Sequence, residues 1–256
     1  MRGPLADFPL RAALAAAVLA CLLLAGSARA SSVNLRWTSC WGDGGPSNRS
    51  FACNTNTGAD LLVGSFVSPA AVHGVVSQGF IVDVGFDGST SVPAWWQFKN
   101  VGSCRQTALV VLATIPGSAV QCQDWANAPA LGTFSNYLLA FGNVGSIRGT
   151  VTVPTDAAAD LVAGQEYFSF QLSINHQKTV GAGACGGCTV GACISLRLIH
   201  LITTGLNNPA LLIGSSVSDV PSDARALWQL TSPTAVCDLA TPARNRTWGE
   251  VKALYR

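Results

Sequence analysis

The sequence predicts an all-β protein, an antiparallel β-sandwich stapled by disulfides with one or two short helices. Three observations carry this expectation. Apolar and polar residues alternate with a period of two over several segments. Helical signals are confined to two short stretches. Glycine (26 residues) and cysteine (9) are plentiful enough to supply tight turns and cross-links. A jelly roll is one form such a sandwich takes.

Taken in chain order, Val33, Leu35 and Trp37 alternate with Asn34, Arg36 and Thr38. Phe80, Val82, Val84 and Phe86 alternate with Ile81, Asp83, Gly85 and Asp87. Ile147, Gly149, Val151 and Val153 alternate with Arg148, Thr150 and Thr152, and Phe168, Phe170, Leu172 and Ile174 with Ser169, Gln171, Ser173 and Asn175. Each pattern describes a strand with one face in a core and one face wetter. Segments 109–115 and 194–202 are more continuously apolar and are expected as central strands buried on both sides. Residues 156–162 are expected as a short helix, capped by Thr155 or Asp156 and stopped by Gly164. A second helix is expected over 247–255, where Thr247 and Glu250 form a capping box and Trp248, Val251, Leu254 and Tyr255 recur at helical spacing.

The N-terminus specifies a compartment. Arg2 and Arg11 precede an uncharged run over 12–26, and Ala28-Arg29-Ala30 is a small-x-small cleavage pattern. The run falls short of the ~20 apolar residues of a membrane span. Residues 1–30 are therefore read as a signal peptide, and 31–256 as one secreted domain with no membrane span after cleavage. Two alternatives stand beside this: an anchor or core helix, and a lipoprotein in which Cys21 carries the lipid. Cleavage removes Arg2, Arg11, Arg29 and Asp7, which takes the formal net charge from +2 to 0. A neutral chain has no electrostatic reason to bind nucleic acid or an anionic membrane surface. The expected location is extracellular, periplasmic or cell-surface.

Without Cys21, eight cysteines remain: Cys40, Cys53, Cys104, Cys122, Cys185, Cys188, Cys193 and Cys237. An even number in an exported chain predicts four disulfides. Local spacing suggests Cys40–Cys53 and Cys104–Cys122, with Cys185, Cys188 and Cys193 pairing once among themselves and once to Cys237. The alternative is that Cys185, Cys188 and Cys193 form a zinc half-site or redox pair, with His176 and His200 completing a metal shell. Export favours the bridges, and no cofactor is expected.

Trp95 and Trp96 are the leading candidates for ligand contact. On a strand they would face opposite ways, leaving one indole free to stack on a sugar. Burial of both in the core is the competing and preferred reading. The loops Trp41-Gly42-Asp43-Gly44-Gly45 and 83–88 carry oxygens that a Ca²⁺ ion would accept, but turn chemistry accounts for them. His200 falls in phase with Ile194, Leu196 and Leu198, and His73 sits in a loop with no obvious partner. No Ser-His-Asp constellation or G-x-S-x-G elbow is visible, and the sparse carboxylates single out no glycosidase pair. Asn48-Arg49-Ser50 and Asn245-Arg246-Thr247 match the N-glycosylation pattern. These readings point to a non-enzymatic structural, cell-surface or ligand-binding protein whose partner is a glycan or cell-surface component. A carbohydrate-binding or carbohydrate-active protein is the first alternative, and a zinc protein the second.

A set of motifs resembles a family of uncharacterised secreted bacterial proteins. It comprises Leu35-Arg36-Trp37-Thr38-Ser39-Cys40 with Gly42-Asp43-Gly44-Gly45, Phe51-Ala52-Cys53-Asn54-Thr55-Asn56, Leu62-Val63-Gly64-Ser65-Phe66, Trp95-Trp96-Gln97-Phe98, Cys104-Arg105, Gly164-Gln165-Glu166-Tyr167, Ala184-Cys185-Gly186-Gly187-Cys188 and the tail Thr247-Trp248-Gly249-Glu250-Val251-Lys252. The resemblance spans nearly the whole mature chain. It implies bacterial export and a single domain, and it brings no activity and no catalytic residues.

Overall fold

The computed structural model describes residues 32–117, 119–126, 130, 132–139, 142–205, 211–213 and 222–232. The expected signal peptide 1–30, Cys237, Asn245 and the expected helix 247–255 lie outside them. In chain order the strands are β1 (Ser32–Trp37), β2 (Asn48–Arg49), β3 (Ala59–Val67), β4 (Val72–Phe86), β5 (Leu109–Leu112), β6 (Gln123–Asp124), β7 (Gly132–Leu139), β8 (Val144–Thr152), β9 (Ala159–Leu161), β10 (Glu166–Asn175), β11 (Ala192–Thr203), β12 (Leu211–Ile213) and β13 (Arg225–Trp228). One sheet runs β1-β3-β10-β5, with β6 beside β10. The other runs β2-β13-β11-β4-β8-β7, with β12 beside β11 and β9 beside β4. All pairs are antiparallel except β6 with β10 and β2 with β13. The expected all-β sandwich is the observed architecture, and the described helical turns are three short 3-10 segments.

Alternation places the core. Leu35, Trp37, Leu62, Phe66, Phe170, Leu172 and Ile174 from the small sheet meet Phe80, Val82, Val84, Phe86, Ile147, Ile194 and Leu196 from the large one. Each such side chain contributes roughly 1.5–3 kcal/mol on burial. Phe80 and Phe170 stack across the sandwich at 3.7 Å. Each ring also lies over a glycine, Gly149 and Gly64 respectively, where a Cβ would enter the ring. The glycines in these alternating strands are therefore packing sites.

Bulges in β10 and β11 shift the alternation. In β10 the register to β3 slips between Phe168 and Phe170. Phe168 was in phase with Phe170 in the sequence, but it turns to the opposite face and packs with Cys40, Val63 and Cys122. An extra residue at a bulge moves what precedes it to the other side. The bulged Ser169 is satisfied across the core by the buried Gln78, whose side-chain oxygen accepts from the Ser169 hydroxyl at 2.9 Å and whose amide donates to its carbonyl. In β11 the slip lies between Leu196 and Leu198. Ile199 and Leu201 then face the core, and Leu198 and His200 face outward, half-buried. The expected core position of His200 is corrected accordingly.

Three further expectations change. The strand over 109–115 shortens to β5 and lies at the edge of its sheet, with Val110 43% exposed. The expected helix 156–162 is a 3-10 turn, Thr155–Ala157, followed by β9 paired to β4. A seven-residue segment cannot offset helix nucleation, whereas a neighbouring strand offers ready hydrogen bonds. Trp95 and Trp96 lie on a 3-10 turn, Ala94–Trp96, so strand alternation does not apply, while the preferred reading, burial of both rings, is what is observed. They join Trp228, which is 5.2 Å from Trp95 and 5.5 Å from Trp96.

The disulfides are long-range. Cys40 pairs with Cys122, Cys53 with Cys188 and Cys104 with Cys185, at Cα separations of 6.1, 6.0 and 6.0 Å. This overturns the expected Cys40–Cys53 and Cys104–Cys122 bridges and the pairing within the Cys185 cluster. A sandwich stacks loops that are far apart in the chain, so closeness in sequence is a poor guide to closeness in space. Cys193 is also disulfide-bonded, to a partner outside the described residues.

Tyr137 shows how the packing titrates. It is buried on β7 beside Phe98, at 5.5 Å, and its hydroxyl has no hydrogen-bond partner among the described residues. Burial holds its phenol well above the usual tyrosine range. In the unfolded chain tyrosine ionises near pH 10. The folded pKa is the higher one, so this contribution is complete below about pH 10 and declines as pH rises further. Tyr137→Phe is expected to flatten that alkaline decline. It should also raise stability at neutral pH by about 1 kcal/mol, by deleting an unpaired buried hydroxyl. Urea titrations at neutral and alkaline pH test this, and a destabilised phenylalanine variant would contradict it.

Candidate functional site

The buried ionisable side chains of the sandwich are held by internal partners. Asp60 occupies an inward position on β3, in phase with Leu62 and Phe66. It accepts from Arg49 Nε of β2 and from His176 Nε2, the latter at 2.8 Å. His176 Nδ1 lies 2.8 Å from the Thr57 carbonyl. Both neighbours of the ring are oxygen acceptors, the Thr57 carbonyl and the Asp60 carboxylate. Phe51 stacks on the imidazole at 3.8 Å. The Thr179 hydroxyl donates to the His176 carbonyl at 2.6 Å and accepts from Trp95 Nε1 at 3.0 Å. His176 is thus held on both nitrogens and one face and does not complete a metal shell.

Glu166 opens β10 and is buried beside the Cys40–Cys122 bridge. Its Oε1 accepts from Ser65 Oγ, Asn34 Nδ2 and the Trp41 N–H, and its Oε2 accepts from the Gly42 N–H at 2.8 Å. Such a carboxylate is an anchor for the loop that follows β1. Asp43 in the same loop accepts from the N–H groups of Val120, Gln121 and Cys122. The Asp-Gly loop therefore fastens one segment to another, and its acidic side chain is turned to backbone donors.

Arg105 is buried with its guanidinium 3.6 Å over the Trp95 ring. It donates to the carbonyls of Trp95 at 2.6 Å, Gln177 at 2.9 Å and Asn175. Burial pushes its pKa down to about 9. Each of its three nitrogens thus donates to a backbone carbonyl, so Arg105 organises the loop after the tryptophan pair.

The zinc reading fails on the sulfurs. Cys185, Cys188 and Cys193 are all in disulfides, which leaves no thiolate to ligate a metal. The one Cys and carboxylate grouping among the described residues, Cys40 and Cys122 with Glu166, likewise contains a bridged pair.

An open cleft of about 720 Å³ lies between β6 with its following turn and the Ala157–Val162 segment. Trp125 and Tyr167 form its inner wall and are mostly covered. Ala157, Ala158 and Ala159 leave the opposite wall shallow. The Tyr167 hydroxyl accepts from the Val162 N–H at 2.8 Å. Asp124 Oδ1 accepts from the Ala126 N–H at 3.0 Å. Asp160 is exposed at the rim, where Oδ1 accepts from the Gly74 N–H at 2.8 Å and Oδ2 lies 3.1 Å from His73 Nδ1. The Gly74 N–H, and after it His73, hold the Asp160 carboxyl below its usual range. The described lining thus presents carboxylate and amide groups beside an aromatic wall, and no cationic side chain. It suits binding of hydroxyl or ammonium donors.

Sequence reasoning singled out Trp95, Trp96, His176 and the cysteines, and the structure places all the described ones in the scaffold. It missed Asp60, Glu166, Arg105, Asp124 and Asp160. A phase signal was available for Asp60, a carboxylate among inward residues. No family, curated protein or solved structure matches the chain. Disulfide bonding of this extent belongs to oxidising, extracytoplasmic surroundings. Among the described residues, no helix is long and apolar enough to cross a membrane.

Proposed function

We propose that the protein is an exported, non-catalytic β-sandwich of bacterial origin, acting outside the cytosol as a ligand-binding or cell-surface module. The cleft beside Asp124 and Asp160 is its ligand site. One observation carries the reading. Asp60, His176, Glu166 and Arg105 are buried and engaged by internal partners, whereas Asp160, exposed and bonded to Gly74 and His73, and the half-buried Asp124, bonded to the Ala126 N–H, line the cleft. The described buried charges are scaffold, and the cleft brings two carboxylates from separate strands to one groove. Carboxylate acceptors lining an open groove match the needs of a polyhydroxylated ligand, and this favours a glycan as the second, more specific reading.

The test is a glycan array and a cell-envelope pull-down with the mature protein. Binding by wild type that falls at least about tenfold in Asp124→Ala or Asp160→Ala, a loss of roughly 1.4 kcal/mol, is the expected outcome. The fold should be unchanged in the Asp160 variant, because Asp160 is at the surface, and thermal melting of the Asp124 variant, which loses the bond to the Ala126 N–H, separates lost binding from lost stability. Binding that survives both substitutions moves the ligand elsewhere. Turnover of any bound glycan would overturn the non-catalytic assignment.

A further inference from the structure

The outer face of the large sheet is apolar where β11 meets β13, yet it is closed to solvent. Ala192, Ile194, Ala226 and Trp228 point into the sandwich. Cys193 and Leu227, paired across the two strands, therefore point away from it. With Leu230 they form a cluster separate from the main core. Cys193 is fully buried, and Ser195 on the same face is 1% exposed. Side chains on an outward face are buried only when something lies over them.

The cysteines indicate what covers it. Cys193 is in a disulfide, and six other cysteines pair with one another. The sequence contains only two more, Cys21 and Cys237. We propose that the C-terminal segment 233–256 is clasped onto this face through a Cys193–Cys237 bridge, its apolar side chains covering Leu227 and Leu230.

Chain length and composition fit this occupant. β13 ends at Trp228, opposite Ala192, so the chain leaves the sheet next to Cys193. Cys237 follows within nine residues, which reach up to about 30 Å when extended, ample for a return to β11. Beyond it, Trp248, Val251, Leu254 and Tyr255 recur at helical spacing. A stripe of that kind calls for an apolar surface. Leu198 and Ile81, cross-strand neighbours on the same outer face, extend one. The choice of Cys237 over Cys21 rests on removal of residues 1–30, as in the export reading.

The exported full chain is digested without reduction, using trypsin and chymotrypsin, and its linked peptides are identified by mass spectrometry. A peptide pair joining Cys193 to Cys237 is expected. The same digest reads the N-terminus, so failure of signal cleavage is scored separately from failure of the clasp. Cys193 joined to Cys21 or to a second chain overturns the proposal. Hydroxyl-radical footprinting then compares Leu227 and Leu230 in wild type and in a Cys193→Ala/Cys237→Ala variant, with the exposed Leu139 as reference. Both leucines should be far less reactive than Leu139 in wild type and several-fold more reactive in the variant. If they already match Leu139 in wild type, or stay equally protected in both proteins, the segment is not their cover and the proposal fails.

Discussion

Replacing Cys53 and Cys188 together by alanine is expected to lower stability by about 4 kcal/mol, measured by chemical denaturation. The bridge spans 135 residues, and the Cys104–Cys185 bridge, spanning 81, lies inside it. With the Cys40–Cys122 and Cys104–Cys185 bridges intact, the outer one closes a shortest loop of about 34 residues through both of them, and the chain-entropy argument for a loop of that size leads to the quoted figure. Local packing adds to the effect. The Trp228 indole donates to the Cys188 carbonyl at 2.8 Å, and Phe51 lies 5.9 Å from the Trp228 ring. The variant's denaturant slope should also rise, because its unfolded chain is freer to expand. A loss below about 1 kcal/mol would show that the unfolded chain is already compact without the bridge.

Glu166→Ala is the single substitution expected to cost most, about 3–5 kcal/mol. It strands four donors at once: Ser65 Oγ, Asn34 Nδ2 and the N–H groups of Trp41 and Gly42. Each buried donor left unpaired costs roughly 1–3 kcal/mol, reduced where water or a rearranged loop can reach it. Glu166→Gln keeps acceptor oxygen on one side only, so it should recover part of the loss. The damage should also be local. Amide exchange at Trp41 and Gly42 should accelerate in the alanine variant, while exchange in β4 and β11 should change only as far as global stability does. Uniform acceleration through both sheets would instead mean that Glu166 supports the whole sandwich.

Legibility in the sequence followed the range of the interactions. The strand positions of Val33 to Trp37, Phe80 to Phe86 and Ile147 to Val151 were readable because alternation is a property of consecutive residues. Phe168 and His200 were misplaced because a bulge depends on the partner strand. The 156–162 segment was misread because its helical signal was weak beside the hydrogen bonds that the β4 edge offered. Trp95 and Trp96 were recognised as an unusual pair. Their burial together, with Arg105 over one ring, required the turn at Ala94–Trp96 that no local pattern announced.

The candidate cleft was less legible than the fold. Asp124 comes from a two-residue strand and Asp160 from a three-residue one, 36 positions apart in the chain. Nothing in either neighbourhood marks a carboxylate as accessible. Cysteine count, export signal and period-two patterning were sufficient for a cross-linked β-sandwich, because all three are carried by short stretches or by composition. Which sulfur meets which, which carboxylates lie inside and which line a groove were settled only when the two sheets stacked. Those outcomes depend on distances between loops, and stacking brings together segments that are far apart along the chain.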